Sequence, residues 1–523
     1  MIIRGIRIIL TILLLTVSSA LIGQEIVRIN RLTSAVEFDG IPDEATWEAL
    51  GSFPLTMHRP NFGSLPSELS EIMIGYDDQF LWIGARLFMK DASEIFAVSK
   101  KRDEELSDND AFGIILDTYD DNENGLAFFT TPTGLRTDYT ISNDATQNGG
   151  GGKGSSINYN WNTFWDVKTT RDDRGWFVEM RIPFSSMKFK SVNEVTVMGL
   201  IISRNISANN ETDTYPAIDP RYGNMSTSEP SQALTIPIEG ARPTRPLYLS
   251  PYLLGGFSRG WSLSEDETGY IMEDEPQYNA GLDIKYNINS NLTLDLTANT
   301  DFAQVEADDQ QVNITRYSLS FPEKRVFFQE RSNLFDFSLR DNSDNLFYSR
   351  NIGISDGEPV RIYAGARLTG RIGKWDLGFL DMQTAPLWKK TSSGTRKQIV
   401  PSENFGVARF RRQVLNENSY IGAITTSRLG ADGSYNLAYG MDGIIRLFGE
   451  DYLTLIWSQT YEDSIKNKNA LEPARLMALW ERRSKKGLGY EFSYSQSGVN
   501  YNPGIGFETI EDVISYRTNF RYG

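Results

Sequence analysis

Residues 279–302 read NAGLDIKYNINSNLTLDLTANTDF. The even positions Ala280, Leu282, Ile284, Tyr286 and Ile288 are all apolar. The odd positions are Asn279, Gly281, Asp283, Lys285 and Asn287. Asn289-Ser290-Asn291 then reads as a turn. After it Leu292, Leu294, Leu296, Ala298 and Phe302 alternate with Thr293, Asp295, Thr297, Asn299 and Asp301. A period of two puts successive side chains on opposite faces of a strand. The stretch is therefore a hairpin with one greasy face and one charged face.

The same texture runs outward from it. Val360–Leu368 repeats the pattern, with Arg361 and Arg367 on the polar side. Further strands are expected at Tyr420–Leu429, Asn436–Leu447, Tyr452–Thr460, Gly487–Ser497 and Val513–Tyr522. A membrane barrel needs this alternation, because lipid takes apolar side chains outside and the lumen takes polar ones. Its backbone must also pair within a closed sheet, and strands of ~9–11 residues cross a bilayer. A soluble antiparallel sandwich alternates in the same way. Successive hairpins with no helical period between them favour the barrel.

The chain before residue 245 has a different texture, that of a compact β domain. Ile72, Ile74 and Tyr76 alternate, Asp77-Asp78-Gln79 turns, and Leu81, Ile83, Ala85 and Leu87 alternate back. Phe112, Ile114 and Leu116 form another strand, and Trp176, Val178, Met180 and Ile182 a later one. Gln147–Ser156 is a Gly-rich loop, and Glu239–Pro246 reads as a linker. Met1–Gly23 has the charged, apolar and small-residue succession of a secretory signal peptide. The expected domains are thus 1–23, 24–245 and 246–523.

Composition narrows the function classes. The 523 residues carry 52 Lys+Arg against 68 Asp+Glu, a net charge of −16, which argues against nucleic-acid binding. There is no Cys and one His, so thiolate zinc sites, Cys nucleophiles and two-His metal sites are excluded. His58 lies among Pro54, Arg59 and Pro60 in an expected loop with no evident partner. Aromatic residues at 12 % and 44 Gly suit a β-rich exported protein.

Residues 279–330 resemble the β-barrel region of the bacterial family called domain of unknown function 5916, most specifically from Asp301 to Glu330. Phe347–Gly353 (FYSRNIG) and Ala364–Gly370 (AGARLTG) continue the likeness, which covers most of residues 245–523. The first domain is similar to a family 9 carbohydrate-binding module. The matching pieces are Phe38–Trp47 (FDGIPDEATW), Tyr76–Trp82, Asp110–Asp117 and Glu179–Phe184 (EMRIPF). The two likenesses imply an all-β chain: a β-sandwich, then an antiparallel outer-membrane barrel. They also imply glycan binding in a xylanase-associated, polysaccharide-degrading setting. Ser107 and Gly113 stand where sugar-binding members carry a Trp and a Glu, so two ligand-gripping groups are expected to be missing. Relatives continue for further strands, so a fragment is expected.

Two candidate sites remain. In Asn158–Asp166 (NYNWNTFWD), Tyr159, Trp161 and Trp165 form an aromatic platform for sugar rings. Trp161 and Trp165 share a face of a strand, and the alternative reading buries Trp165 in the core. Asp120, Asn122, Asn124 and Gly125 spell the first half of a calcium loop, but Thr131 stands where the closing Glu belongs. The alternative there is a polar hairpin turn. The expected function is an outer-membrane barrel with a periplasmic carbohydrate-binding-like domain that handles polysaccharide or oligosaccharide and meets outer-membrane lipid. The alternatives are a secreted xylanase-type glycoside hydrolase acting on O-glycosyl bonds, and an adhesion or assembly subunit that binds protein. No carboxylate pair marks a catalytic site.

Overall fold

The computed structural model describes residues 29–98, 101–103, 109–145, 156–159, 161–187, 189, 191–192, 195–223, 225–241, 247–263, 269–289, 291–300, 321, 323, 325–329, 331–337, 344–355, 358–390, 395–416, 418–483 and 487–523. The expected signal peptide, most of the Gly-rich loop, linker residues 242–246, Ser107 and residues 301–320 lie outside them.

The first domain is a sandwich of two sheets. Its strands are β1 (Asn30–Arg31), β2 (Thr56–Arg59), β3 (Ser70–Tyr76), β4 (Phe80–Phe88), β5 (Ala111–Asp117), β6 (Gly125–Thr130), β7 (Arg136–Ile141), β8 (Ile157–Asn158), β9 (Asp166–Asp172), β10 (Gly175–Pro183), β11 (Ser191–Val192), β12 (Val195–Ile206), β13 (Glu211–Tyr215) and β14 (Leu234–Glu239). One sheet runs β1-β3-β4-β10-β9. The other runs β2-β13-β12-β5-β6-β7-β8, with β11 and β14 also paired to β12. The core between them takes Ile72, Ile83, Trp176 and Met180 from one sheet and Phe112, Ile114, Phe128 and Leu200 from the other.

A buried carboxylate ties the ends of this domain together. Glu179 on β10 is fully buried. It accepts the backbone N–H of Asp39 (2.8 Å) and Gly40 (2.8 Å) and the indole N–H of Trp47 (3.3 Å). Burial raises the Glu179 carboxyl, while those donors pull it back down. The pieces Phe38–Trp47 and Glu179–Phe184, far apart in sequence, thus form one hydrogen-bonded unit. His58 departs from expectation. It lies on β2, is buried, and its Nδ1 is 2.7 Å from the Ile218 carbonyl oxygen.

Among the described residues the second domain is one antiparallel meander of twelve strands: β15 (Leu247–Leu263), β16 (Tyr270–Asn289), β17 (Leu292–Ala298), β20 (Ile362–Ile372), β21 (Trp375–Thr384), β24 (Glu403–Gln413), β25 (Tyr420–Gly430), β26 (Tyr435–Phe448), β27 (Asp451–Glu462), β28 (Ala474–Arg482), β29 (Leu488–Ser497) and β30 (Val513–Tyr522). Two small ribbons, β18–β19 (Ile354–Ser355 with Glu358–Pro359) and β22–β23 (Leu387–Lys390 with Arg396–Val400), stand apart from it. The expected hairpin is β16–β17, where Lys285 faces Asp295 and Ile284 faces Leu296. Sequence reasoning did not pick out β15, nor β21, β24 and β28, whose inward positions are often apolar. Among the described residues the sheet is open, with β15 and β30 as its edges.

This sheet is inverted relative to a water-soluble one. The polar positions Thr293, Asp295, Arg367, Asp376, Arg409 and Asp442 are buried. The apolar positions Leu253, Phe379, Phe410, Leu437, Met441, Leu455 and Trp480 are exposed. The inner face is covered by two of the chain's own connections. Phe327, Phe335, Phe337, Leu346 and Ile352 from the β17–β20 connection pack there with Tyr501 and Ile505 from the β29–β30 connection. Arg409 holds this filling in place. It pairs with Asp442 through both nitrogens (2.5 and 2.6 Å) and donates to the Leu334 and Asp336 carbonyls.

A candidate ligand cleft between the sandwich and the second sheet

The segment from Tyr159 to Asp166 is pinned by short contacts. The Arg136 guanidinium donates to the Trp165 carbonyl (2.6 Å), Asp138 accepts the Thr163 N–H (2.8 Å), and the Ser186 hydroxyl donates to the Phe164 carbonyl (2.5 Å). Trp161 and Trp165 share a face, as the alternation requires, and that face is the core. They are 8 % and 2 % exposed and meet Phe128 edge-on at 6.2 and 5.5 Å. Tyr159 lies against Tyr139, with ring centroids 4.9 Å apart. The three rings therefore form no open platform. Two large indoles stabilise the sandwich more by filling its interior than by facing water.

The ring that does face outward is Phe164. It is 71 % exposed and stacks on Tyr248 of β15, with centroids 6.0 Å apart and planes 17° from parallel. The parity of an extended segment was the available signal, since Phe164 falls between the two inward indoles. Its partner Tyr248 was not accessible to sequence reasoning.

Below this pair lies a cleft of about 510 Å³. The sandwich contributes Trp161–Phe164, Ser185 and Ser186, and the sheet contributes Tyr248–Tyr252, Asp283, Lys285, Asn287 and Asp295. Arg325, Phe327 and Arg367 close the floor. The charges form a ladder across strands: register places Lys285 beside Asp295, and Asp295 beside Arg367. Arg325 is held by Glu323 (2.9 and 2.7 Å) and by the carbonyls of Ile352 and Ser349, both at 2.7 Å. The Thr297 hydroxyl donates to Asp283 (2.5 Å). Acids and bases are thus matched one against another. An aromatic face beside a dense, charge-balanced set of donors and acceptors suits a ligand with one apolar face and many hydroxyls.

The loop from Asp117 to Gly125 is organised around Asp117 and Asp121. Asp117 accepts the N–H groups of Tyr119, Asp121 and Asn122. Asp121 accepts those of Glu123 and Asn124, and the Asn124 side-chain amide. Asp120 and Asn122 take left-handed backbone, with φ of 51° and 57°. Burial, with Asp121 nearby, pushes the Asp117 carboxyl well up. The remaining face of Asp121 meets a fixed cation, Arg371 of the second sheet, at 2.7 Å. Among the described residues no group of three or more His, Cys, Asp or Glu is placed to hold a metal ion. Gly113 sits in β5, where an added Cβ would come within 2.4 Å of the Phe128 carbonyl oxygen. This backbone has no room for a larger residue there.

Residues 242–436 match the family described as Domain of unknown function (DUF5916). That match covers about the first two thirds of the second domain. No curated protein matches the chain. Among solved structures, the chain is similar to a family 9 carbohydrate-binding module from Caldicellulosiruptor kristjanssonii in complex with cellotriose. That likeness has 17 % identity, covers 41 % of this chain and 94 % of that one, and has a TM-score of 0.28. It is also similar to OccK7 (OpdD) of Pseudomonas aeruginosa, with 10 % identity, 79 % and 75 % coverage and a TM-score of 0.24. An anion-selective porin from Comamonas acidovorans follows, with 8 % identity, 74 % and 88 % coverage and a TM-score of 0.23.

Proposed function

We propose that this chain is an outer-membrane protein that handles glycans, with the second sheet in lipid and the sandwich on its periplasmic side. The observation that carries the reading is the inverted sheet. Charged side chains such as Arg409 and Arg367 are buried within it, while Met441, Leu455 and Leu253 stand exposed outside. In water such a face would be a severe aggregation hazard, and in lipid it is the required surface. No helix among the described residues is long and apolar enough to cross a membrane, so strands would have to do so.

The turns support the periplasmic side for the sandwich. The ends Asn289–Leu292, Ile372–Trp375 and Phe448–Asp451 are tight, whereas the connections Ala298–Ile362, Thr384–Glu403 and Ser497–Val513 at the opposite end are long. Outer-membrane barrels keep short turns in the periplasm. The sandwich meets the sheet at that end, through Arg371 beside the Ile372–Trp375 turn.

The cleft under Phe164 and Tyr248 is where a short oligosaccharide would lie. The test is calorimetric titration of the full chain in detergent with xylan, cellulose and mannan oligosaccharides. Saturable heat that Phe164→Ala abolishes supports the reading. Binding unchanged by Phe164→Ala, or no binding to any of them, removes the cleft as a glycan site.

A further inference from the structure

The loop that spells half a calcium motif has a different partner within the chain. Asp121 pairs with Arg371 at 2.7 Å, and both side chains are largely buried, at 5 % and 17 % exposed. Arg371 is also gripped by Asp376 through two contacts (2.7 and 2.9 Å), and Arg411 stands 3.6 Å from the same carboxylate. Tyr119 lies under the guanidinium groups of Arg331 (4.8 Å) and Arg371 (5.9 Å). Beside this, Asn122, Glu123 and Asp144 of the sandwich face Arg411, Tyr420 and Arg483 across a cavity of about 80 Å³ that Asp442 and Glu481 of the second sheet also line. An acidic loop of one domain therefore sits against a cluster of arginines, themselves partly paired with Asp376 and Glu481, at one end of the other.

We propose that the Asp117–Gly125 loop is a docking key that seats the sandwich reversibly in the mouth of the second sheet, with this chain's own Arg331, Arg371, Arg411 and Arg483 as the socket. Contacts between domains of one chain allow relative motion unless they are large and apolar. This one is polar, and its specificity comes from opposed charge. Arg371 keeps Asp376 as a partner when Asp121 leaves, so separation does not leave Arg371 unpaired. Seating completes the cleft under Phe164. Release would open that cleft, so the key governs access to it. The inference holds whether or not the cleft binds sugar.

The chain has no Cys, so spin labels can be placed cleanly. Labels at Asp173→Cys on the sandwich and Lys466→Cys beyond the opposite end of the sheet would report the seating distance by pulsed electron resonance on the full chain in detergent. Arg371→Glu should create a second, longer and broader distance, raising the unseated-to-seated ratio by about tenfold or more. Adding Asp121→Arg to Arg371→Glu should restore the single short distance. If Arg371→Glu fails to fold, Asp121→Asn leaves the sheet untouched and turns an amide towards Arg371, and it should give the same longer population. A single unchanged distance in every folded variant would overturn the proposal, as would a double variant no better seated than Arg371→Glu alone.

Discussion

Replacing Met441 with Arg separates a lipid-facing sheet from a water-facing one. Met441 lies on β26 with Ala423 and Trp457 as its cross-strand neighbours, and it is 60 % exposed. At ~3.4 Å per residue and a tilt of about 40°, it stands roughly 15 Å from either end of the strand, near the middle of a ~25 Å apolar band. An Arg at the bilayer midplane costs about 2–4 kcal/mol. The same change on a water-exposed strand stays within about 0.5 kcal/mol. The expected loss is therefore roughly thirtyfold to a thousandfold in the folding equilibrium. Urea titration of folding into phosphatidylcholine vesicles, read by Trp fluorescence, measures it. Asp463→Arg, in the exposed connection after β27, is the control and should be neutral. If Met441→Arg proves as stable as the unaltered chain, the exposed face is not in lipid and the membrane reading falls.

Three further outcomes test the sandwich. Glu179→Ala strands the buried Gly40 and Trp47 donors at about 1–3 kcal/mol each, so the sandwich transition in calorimetry should fall by roughly 10 °C, with Glu179→Gln intermediate. Gly113→Ala drives a Cβ to 2.4 Å from the Phe128 carbonyl oxygen and should cost about 1–3 kcal/mol in the same measurement. Burial, aided by Glu211, pushes the Asp213 carboxyl up to about 7. Its native form holds a proton that the unfolded chain releases near pH 4, so its contribution fades as pH rises through 7. Asp213→Asn should accordingly raise sandwich stability more at pH 8 than at pH 5, and an equal gain at both would contradict the assignment.

Much of the architecture was legible because alternation is a local property. Asn279–Ile288 shows its greasy and polar faces without reference to any other residue, and β16 keeps that assignment, with Asn287 buried and Tyr286 41 % exposed. The strands from Tyr420 to Thr460 were legible for the same reason. The exceptions are instructive. On β24 Phe405 and Val407 point inward with Arg409, because the chain's own Phe327–Ile352 segment fills the space a water-filled lumen would occupy. No local pattern announces that filling.

The candidate site was harder to read. The segment NYNWNTFWD marked an aromatic cluster, and parity placed Trp161 and Trp165 on one face. Which face met the core depended on Phe128, more than thirty residues earlier, and which ring met the ligand space depended on Tyr248, more than eighty later. Asp120, Asn122 and Asn124 had metal-like spacing, yet the cation beside that loop is Arg371, placed there by the docking of two domains. By itself the sequence determined most of the strands and their two faces, since each rests on backbone geometry and nearby side chains. Only the tertiary structure decided which aromatic ring stays free, what fills the sheet and what the acidic loop holds. Those contacts join residues far apart in the chain, and burial and charge pairing are settled only where they meet.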